Sequence, residues 1–168
     1  AQYFHQQLKH ICDLHQPEYY NKFKQWADDY FFIKHRDETR GVGGIFFDKL
    51  AGTEQMSLAQ QSEFVKDTGN TFAPVYTKFM DENKAIHYGK NEKQFQLMRR
   101  GRYVEFNLVY DKGTKFGLDT DGRTESILMS MPPEANWIYN YTAPENSPEA
   151  YTLSMLKKGI NWIEMEIA

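Results

Sequence analysis

The sequence predicts an α+β domain in which an antiparallel β-sheet is flanked by α-helices, and three observations predict it. Apolar residues recur at helical spacing through the first thirty positions and again through residues 58–80. Aromatic and β-branched runs at residues 30–33, 45–47 and 103–110 are bounded by glycine and charged turns, as strands are. The length of 168 residues, 26% charged and 40% hydrophobic, suits a single domain spanning 1–168.

Each element follows in order. Phe4, Leu8, Ile11 and Cys12 mark a short amphipathic helix from Tyr3 to about Leu14. Pro17 opens a second helix, since a residue without an N–H suits the first turn, and Tyr20, Phe23, Trp26 and Ala27 form its apolar face. Residues 30–33 and 45–47 read as an antiparallel hairpin with the charged segment 34–40 at its tip. Leu58, Phe64 and Val65 begin a long helical pattern; Gly69 and Asn70 interrupt it, and Phe72, Val75, Tyr76, Phe79 and Met80 resume it. Residues 81–89 are a polar loop, and helix is expected from Asn91 to about Arg100. The alternating run at 103–110 is expected to be a strand, followed by a turn at 111–114 and a short strand at 115–118. Asp121 and Gly122 signal another turn, and residues 127–129 a short buried element stopped by Pro132 and Pro133. Ser147 and Pro148 have the form of a helix start, leading through Tyr151, Leu153 and Leu156 to Gly159.

Composition excludes several functions. No apolar run is long enough for a transmembrane helix, and the mean hydropathy is −0.72. A net charge of −3 argues against nucleic acid as a partner, because a phosphate-tracking surface shows as a basic excess. Cys12 is the only cysteine, so no intrachain disulfide and no cysteine-based zinc site can form. The first ten residues show neither a signal peptide nor a transit pattern. Aromatic residues make up 15% of the chain, which suits either a ring-rich core and dimer interface or a pocket for a flat, unsaturated ligand.

Three stretches combine glycine with opposed charges. In His35–Gly44 the glycines precede a β-rich run rather than opening a helix, which rejects a dinucleotide fingerprint. A hairpin tip in which Arg36 and Arg40 pair with Asp37 and Glu38 is one reading of the stretch. Arg99, Arg100 and Arg102 surround Gly101, and their planar forks suit a polycarboxylate ligand or ion pairs with Glu105 and nearby acids. Asp111 ends an aromatic run: it either starts a turn or offers an acceptor-only carboxylate to several ring N–H donors.

The segments YFFIKHRDETRGVGGIFFD, QLMRRGRYVEFNLVYDKGTKFGL and GRTESILMSMPP, with the final stretch near Trp162, closely resemble oxygen-dependent coproporphyrinogen III oxidase. The resemblance covers nearly the whole chain. Members of that family are about twice as long, and this sequence looks like their carboxy-terminal portion; the histidine usually assigned as proton donor belongs to the other part.

The resemblance implies a large antiparallel sheet between helical layers and an oxidative decarboxylation in haem biosynthesis. Two propionates of coproporphyrinogen III become vinyl groups, with O2 as co-substrate and no cofactor required. A non-catalytic, tetrapyrrole-binding or dimer-forming remnant is the alternative. By the same resemblance Asp111 lies beneath the tetrapyrrole, and Asp121, Gly122 and Arg123 match a substrate-binding Gly-Gly-Arg whose first glycine is here an aspartate. Lys112 stands where many relatives have arginine. His5 and His35 match positions assigned to a divalent metal such as Mn. A homodimer is expected through residues 103–136, from Tyr103 to Asn136, in the cytoplasm or alternatively the mitochondrial intermembrane space.

Overall fold

The computed structural model describes residues 1–165. It forms two compact units, one from Ala1–Tyr30, Val42–Ile86 and the segment beginning at Lys158, the other from Phe31–Gly41 and His87–Lys157.

The first unit is built on three helices: α1 (Gln2–His15), α2 (Glu18–Tyr30) and α3 (Leu58–Asn83). The apolar faces read for α1 and α2 are the buried ones. Leu8, Cys12, Tyr20 and Phe23 meet Met56 and Phe64 in the core, with Phe4, Ile11, Tyr19 and Trp26 packed around them. Ser57 caps α3 by accepting the Gln60 N–H, and the Gln60 side chain returns to the Ser57 backbone, which closes a capping box. Gly69 does not interrupt α3, which runs unbroken for 26 residues with Pro74 inside it. The penalty for a glycine in a helix, about 1 kcal/mol, is outweighed because Phe64 and Val75 are buried on either side of it.

The second unit holds the only sheet among the described residues. β1 (Phe32–Ile33) pairs antiparallel with β2 (Glu38–Thr39), with Phe32 opposite Thr39 and Ile33 opposite Glu38. A 3-10 turn, Lys34–Arg36, and Asp37 in the left-handed region at φ 52° join them. Four helices follow: α4 (Lys90–Val109), α5 (Lys112–Asp119), α6 (Thr124–Ile127) and α7 (Pro148–Ser154). Ser147 caps α7 as its sequence indicates.

The expectation of an α+β fold with a large antiparallel sheet is therefore corrected: the described residues are predominantly helical, and the sheet has two strands of two residues each. Three misread segments account for it. Residues 103–109 continue α4 and Tyr110 is its C-cap, because Met98, Arg102 and Phe106 repeat every fourth residue and are all buried, with Asn107 beside them. The same letters alternate, so the run also fits a period of two; a buried helical face decides against it. Residues 115–118 lie in α5, which begins where Asp111 caps it. Residues 45–47 do not pair with β1. Ile45 and Phe47 pack on the first unit's core, and the Phe46 N–H donates to the Phe23 carbonyl at 3.1 Å.

Candidate functional site

In the second unit, charged side chains from β2, the 3-10 turn and α4 converge. Arg99, Arg102 and Glu105 follow one another at i, i+3 and i+6 on α4 and so share a face. The Glu105 carboxylate, only 11% exposed, receives the Arg36 fork at 3.0 and 2.6 Å, Arg102 Nη1 at 3.3 Å, Trp137 Nε1 at 2.8 Å and His35 Nε2 at 3.1 Å. Glu38 binds Arg99 at 2.8 Å and faces Arg102 Nε at 3.6 Å. Burial alone would raise the Glu105 carboxyl, but the Arg36 hydrogen bond, the charge of Arg102, and the Trp137 and His35 hydrogen bonds hold it at about 2. Glu105 is thus a fixed anion and has no basicity to offer near neutral pH.

His35 bridges outward from this hub. Its Nδ1 lies 2.8 Å from the Tyr110 hydroxyl, and the two rings stack at 5.6 Å and 26°. An ionised carboxylate can only accept, so in the neutral ring Nε2 carries the proton toward Glu105 and Nδ1 accepts from Tyr110. Arg40 takes a different place: its guanidinium lies over the rings of Phe31, Phe106 and Tyr103 at 4.2, 5.0 and 5.1 Å.

Asp111, half-buried, sits between α4 and α5. Its Oδ2 accepts the Thr114 N–H at 2.7 Å and the Thr114 hydroxyl at 2.9 Å, so the aspartate is a helix cap. Asp121, Gly122 and Arg123 form the turn between α5 and α6. Asp121 is left-handed at φ 57°, and the Gly122 N–H donates to the Gly117 carbonyl at 2.9 Å. A Cβ on Gly122 would stand 2.8 Å from that carbonyl oxygen, so close approach requires glycine here. Arg123 is exposed at the start of α6.

His5 belongs to the first unit and is fully buried on α1. Its Nε2 donates to the Val42 carbonyl at 2.8 Å, its Nδ1 meets the Tyr20 hydroxyl at 3.0 Å, and its ring stacks on Trp162. Burial pushes its pKa down to about 4, against the raising effect of the Val42 bond. A metal-bound imidazole must turn a lone pair to the ion. Both ring nitrogens of His5 and of His35 are engaged by other groups, and among the described residues no group of three or more His, Cys, Asp or Glu is placed to hold a metal. The residues present do not fit the expected divalent metal.

Arg102 pairs with Glu105, as the ion-pair alternative for this stretch expects, whereas Arg99 takes Glu38. Trp137 and Tyr110 are partners that spacing does not reveal, since they lie 32 residues from Glu105 and 75 from His35.

Fold and site together define a helical protein whose second unit concentrates arginine–carboxylate pairs beside a capping aspartate. The family model for coproporphyrinogen III oxidase matches residues 1–162, and the chain belongs to that family. It is 51% identical over 164 residues to a protein from Francisella tularensis subsp. novicida (strain U112) named oxygen-dependent coproporphyrinogen-III oxidase. The match covers 98% of this chain and 52% of that protein, so the chain spans about half the length of the curated relative it matches.

Proposed function

We propose that this chain is the carboxy-terminal portion, as one domain, of an oxygen-dependent coproporphyrinogen III oxidase. The observation that carries the reading is the 51% identity maintained across 98% of the chain. In the reaction each of two propionic side chains loses carbon dioxide together with two electrons and two protons and becomes a vinyl group, and one O2 per side chain accepts those electrons and protons and leaves as hydrogen peroxide.

Asp111 is the acceptor for pyrrole N–H groups. Its location supports this, because the two bonds from Thr114 hold Oδ2 of the carboxylate at the head of α5. Gly122 and Arg123 receive a propionate, and the exposed guanidinium at the other end of α5 supports that role. The left-handed backbone and exposure of Asp121 support a side chain turned to solvent, which removes the repulsion its charge would otherwise impose. A homodimer through residues 103–136 is part of the reading. Leu108, Val109, Phe116 and Leu118 are exposed there and supply an apolar surface, whereas Phe106 is buried within its own unit. No helix among the described residues is long and apolar enough to cross a membrane. A single buried cysteine suits the cytoplasm we assign.

The test is incubation of the full-length protein with coproporphyrinogen III under argon and then in air. Protoporphyrinogen IX and peroxide should form only after air is admitted. Equal product under argon, or none in air from a folded protein, would contradict the reading.

A further inference from the structure

Only two residues, Tyr110 and Asp111, separate α4 from α5. The direction of the Asp111 carboxylate therefore depends on how that junction is held. Its backbone is anchored to the end of α4, where the Tyr110 and Asp111 N–H groups both donate to the Phe106 carbonyl, at 2.8 and 3.0 Å. The Tyr110 ring is the other handle. Its hydroxyl meets His35 Nδ1 at 2.8 Å, and the far side of the same imidazole meets Glu105 at 3.1 Å. Glu105 is immobilised in turn by Arg36, Arg102 and Trp137.

We infer that His35 and Glu105 are positioning residues for Asp111, acting through the Tyr110 hydroxyl. The carboxylate sets the orientation and tautomer of the imidazole, which leaves Nδ1 as an acceptor aimed at Tyr110. The stacked imidazole and phenol rings then hold the junction through the Tyr110 side chain, beside the backbone bonds at the helix end. His35 serves here as a hydrogen-bond post rather than a metal ligand, in keeping with the engagement of both its nitrogens. The inference rests on the proposed contact between Asp111 and substrate.

The test separates the two nitrogens in the full-length protein. Asparagine places an amide atom near the position of Nδ1, and glutamine places one near Nε2. Tyr110→Phe, which removes one oxygen, is the mild variant that tests the contact without endangering the fold. Two readouts are taken: hydrogen exchange of the Thr114 amide, which reports the Asp111 cap, and the kcat and KM for coproporphyrinogen III.

His35→Gln and Tyr110→Phe should speed Thr114 exchange and lower kcat by roughly 3- to 10-fold, the worth of one ordinary hydrogen bond, with KM changed less. His35→Asn should stay closer to the unmodified protein on both readouts. Unchanged exchange in Tyr110→Phe would overturn the inference, as would Asn and Gln variants that are equally impaired. Loss of bound manganese together with activity in both His35 variants, with Tyr110→Phe silent, would also overturn it. If the unmodified protein fails to oxidise coproporphyrinogen III, the proposed function falls while the exchange measurement still decides the positioning.

Discussion

At Glu105 the Arg36 fork, Arg102, Trp137 and His35 outweigh the cost of taking a carboxylate out of water, and the group stays charged. At His5 burial outweighs the raising effects of the Val42 bond and the Asp28 charge, and the ring stays neutral. The second case has a measurable consequence. The unfolded chain takes up the His5 proton near pH 6.5, the folded protein only near 4. Stability gained by keeping this ring neutral is complete above pH 6.5 and is lost progressively as the pH falls toward 4. Between pH 7 and pH 5 the loss is about 2 kcal/mol, and His5→Gln should remove that part of the slope. Urea unfolding at the two pH values checks it; identical slopes for both proteins would exonerate His5. Arg123→Lys replaces a fork with a point charge in the proposed propionate-binding role, so it should raise KM severalfold and leave kcat within about twofold. Steady-state kinetics decide, and an unchanged KM would make Arg123 structural. The Arg102–Glu105 pair, three residues apart, is legible in the sequence, whereas Asp111 and Thr114 read as a turn before a strand and instead form a helix cap. The His35–Tyr110 bond spans 75 residues and becomes visible only once the fold brings the chain together.

Among the elements, α1 and α2 are plain in the sequence because a period of 3.6 is the only one their apolar residues fit. The run at 103–110 satisfies two periods, and its aromatic and β-branched content favours the wrong one. What fixes it as helix is burial of Met98, Arg102 and Phe106 together with the approach of a later segment. The Asn136 N–H donates to the Leu97 carbonyl at 3.0 Å, and a Cβ on Gly101 would stand 2.5 Å from the Asn136 backbone oxygen. Gly101→Ala should therefore destabilise the protein by about 1–3 kcal/mol despite alanine's better helix propensity. Gly69 in α3 supplies the opposite case. Nothing lies within 4 Å of a Cβ added there, so Gly69→Ala should stabilise by about 0.5–1 kcal/mol. Thermal or urea unfolding of the pair checks both signs, and a stabilising Gly101→Ala would refute the close packing of residue 136 on α4.

For the whole molecule, membership in the coproporphyrinogen III oxidase family rests on a match through residues 1–162, and the family was legible in long motifs even where the fold class was not. The reason is physical. Motifs record side chains at particular positions, whereas fold class follows from periodicity, which two segments of the second unit satisfy ambiguously. The proposed chemistry centres on Asp111, whose carboxylate caps α5 and is assigned to receive pyrrole N–H groups. Asp111→Asn keeps the shape and an acceptor oxygen but removes the charge, so the helix cap should largely survive while turnover should not. Measured in the full-length protein under air, Asp111→Asn should retain its fold and lose at least about 100-fold in protoporphyrinogen IX formation, the scale of removing one electrostatic contact at a reacting centre. A folded Asp111→Asn protein with turnover near that of the unmodified enzyme would contradict the account.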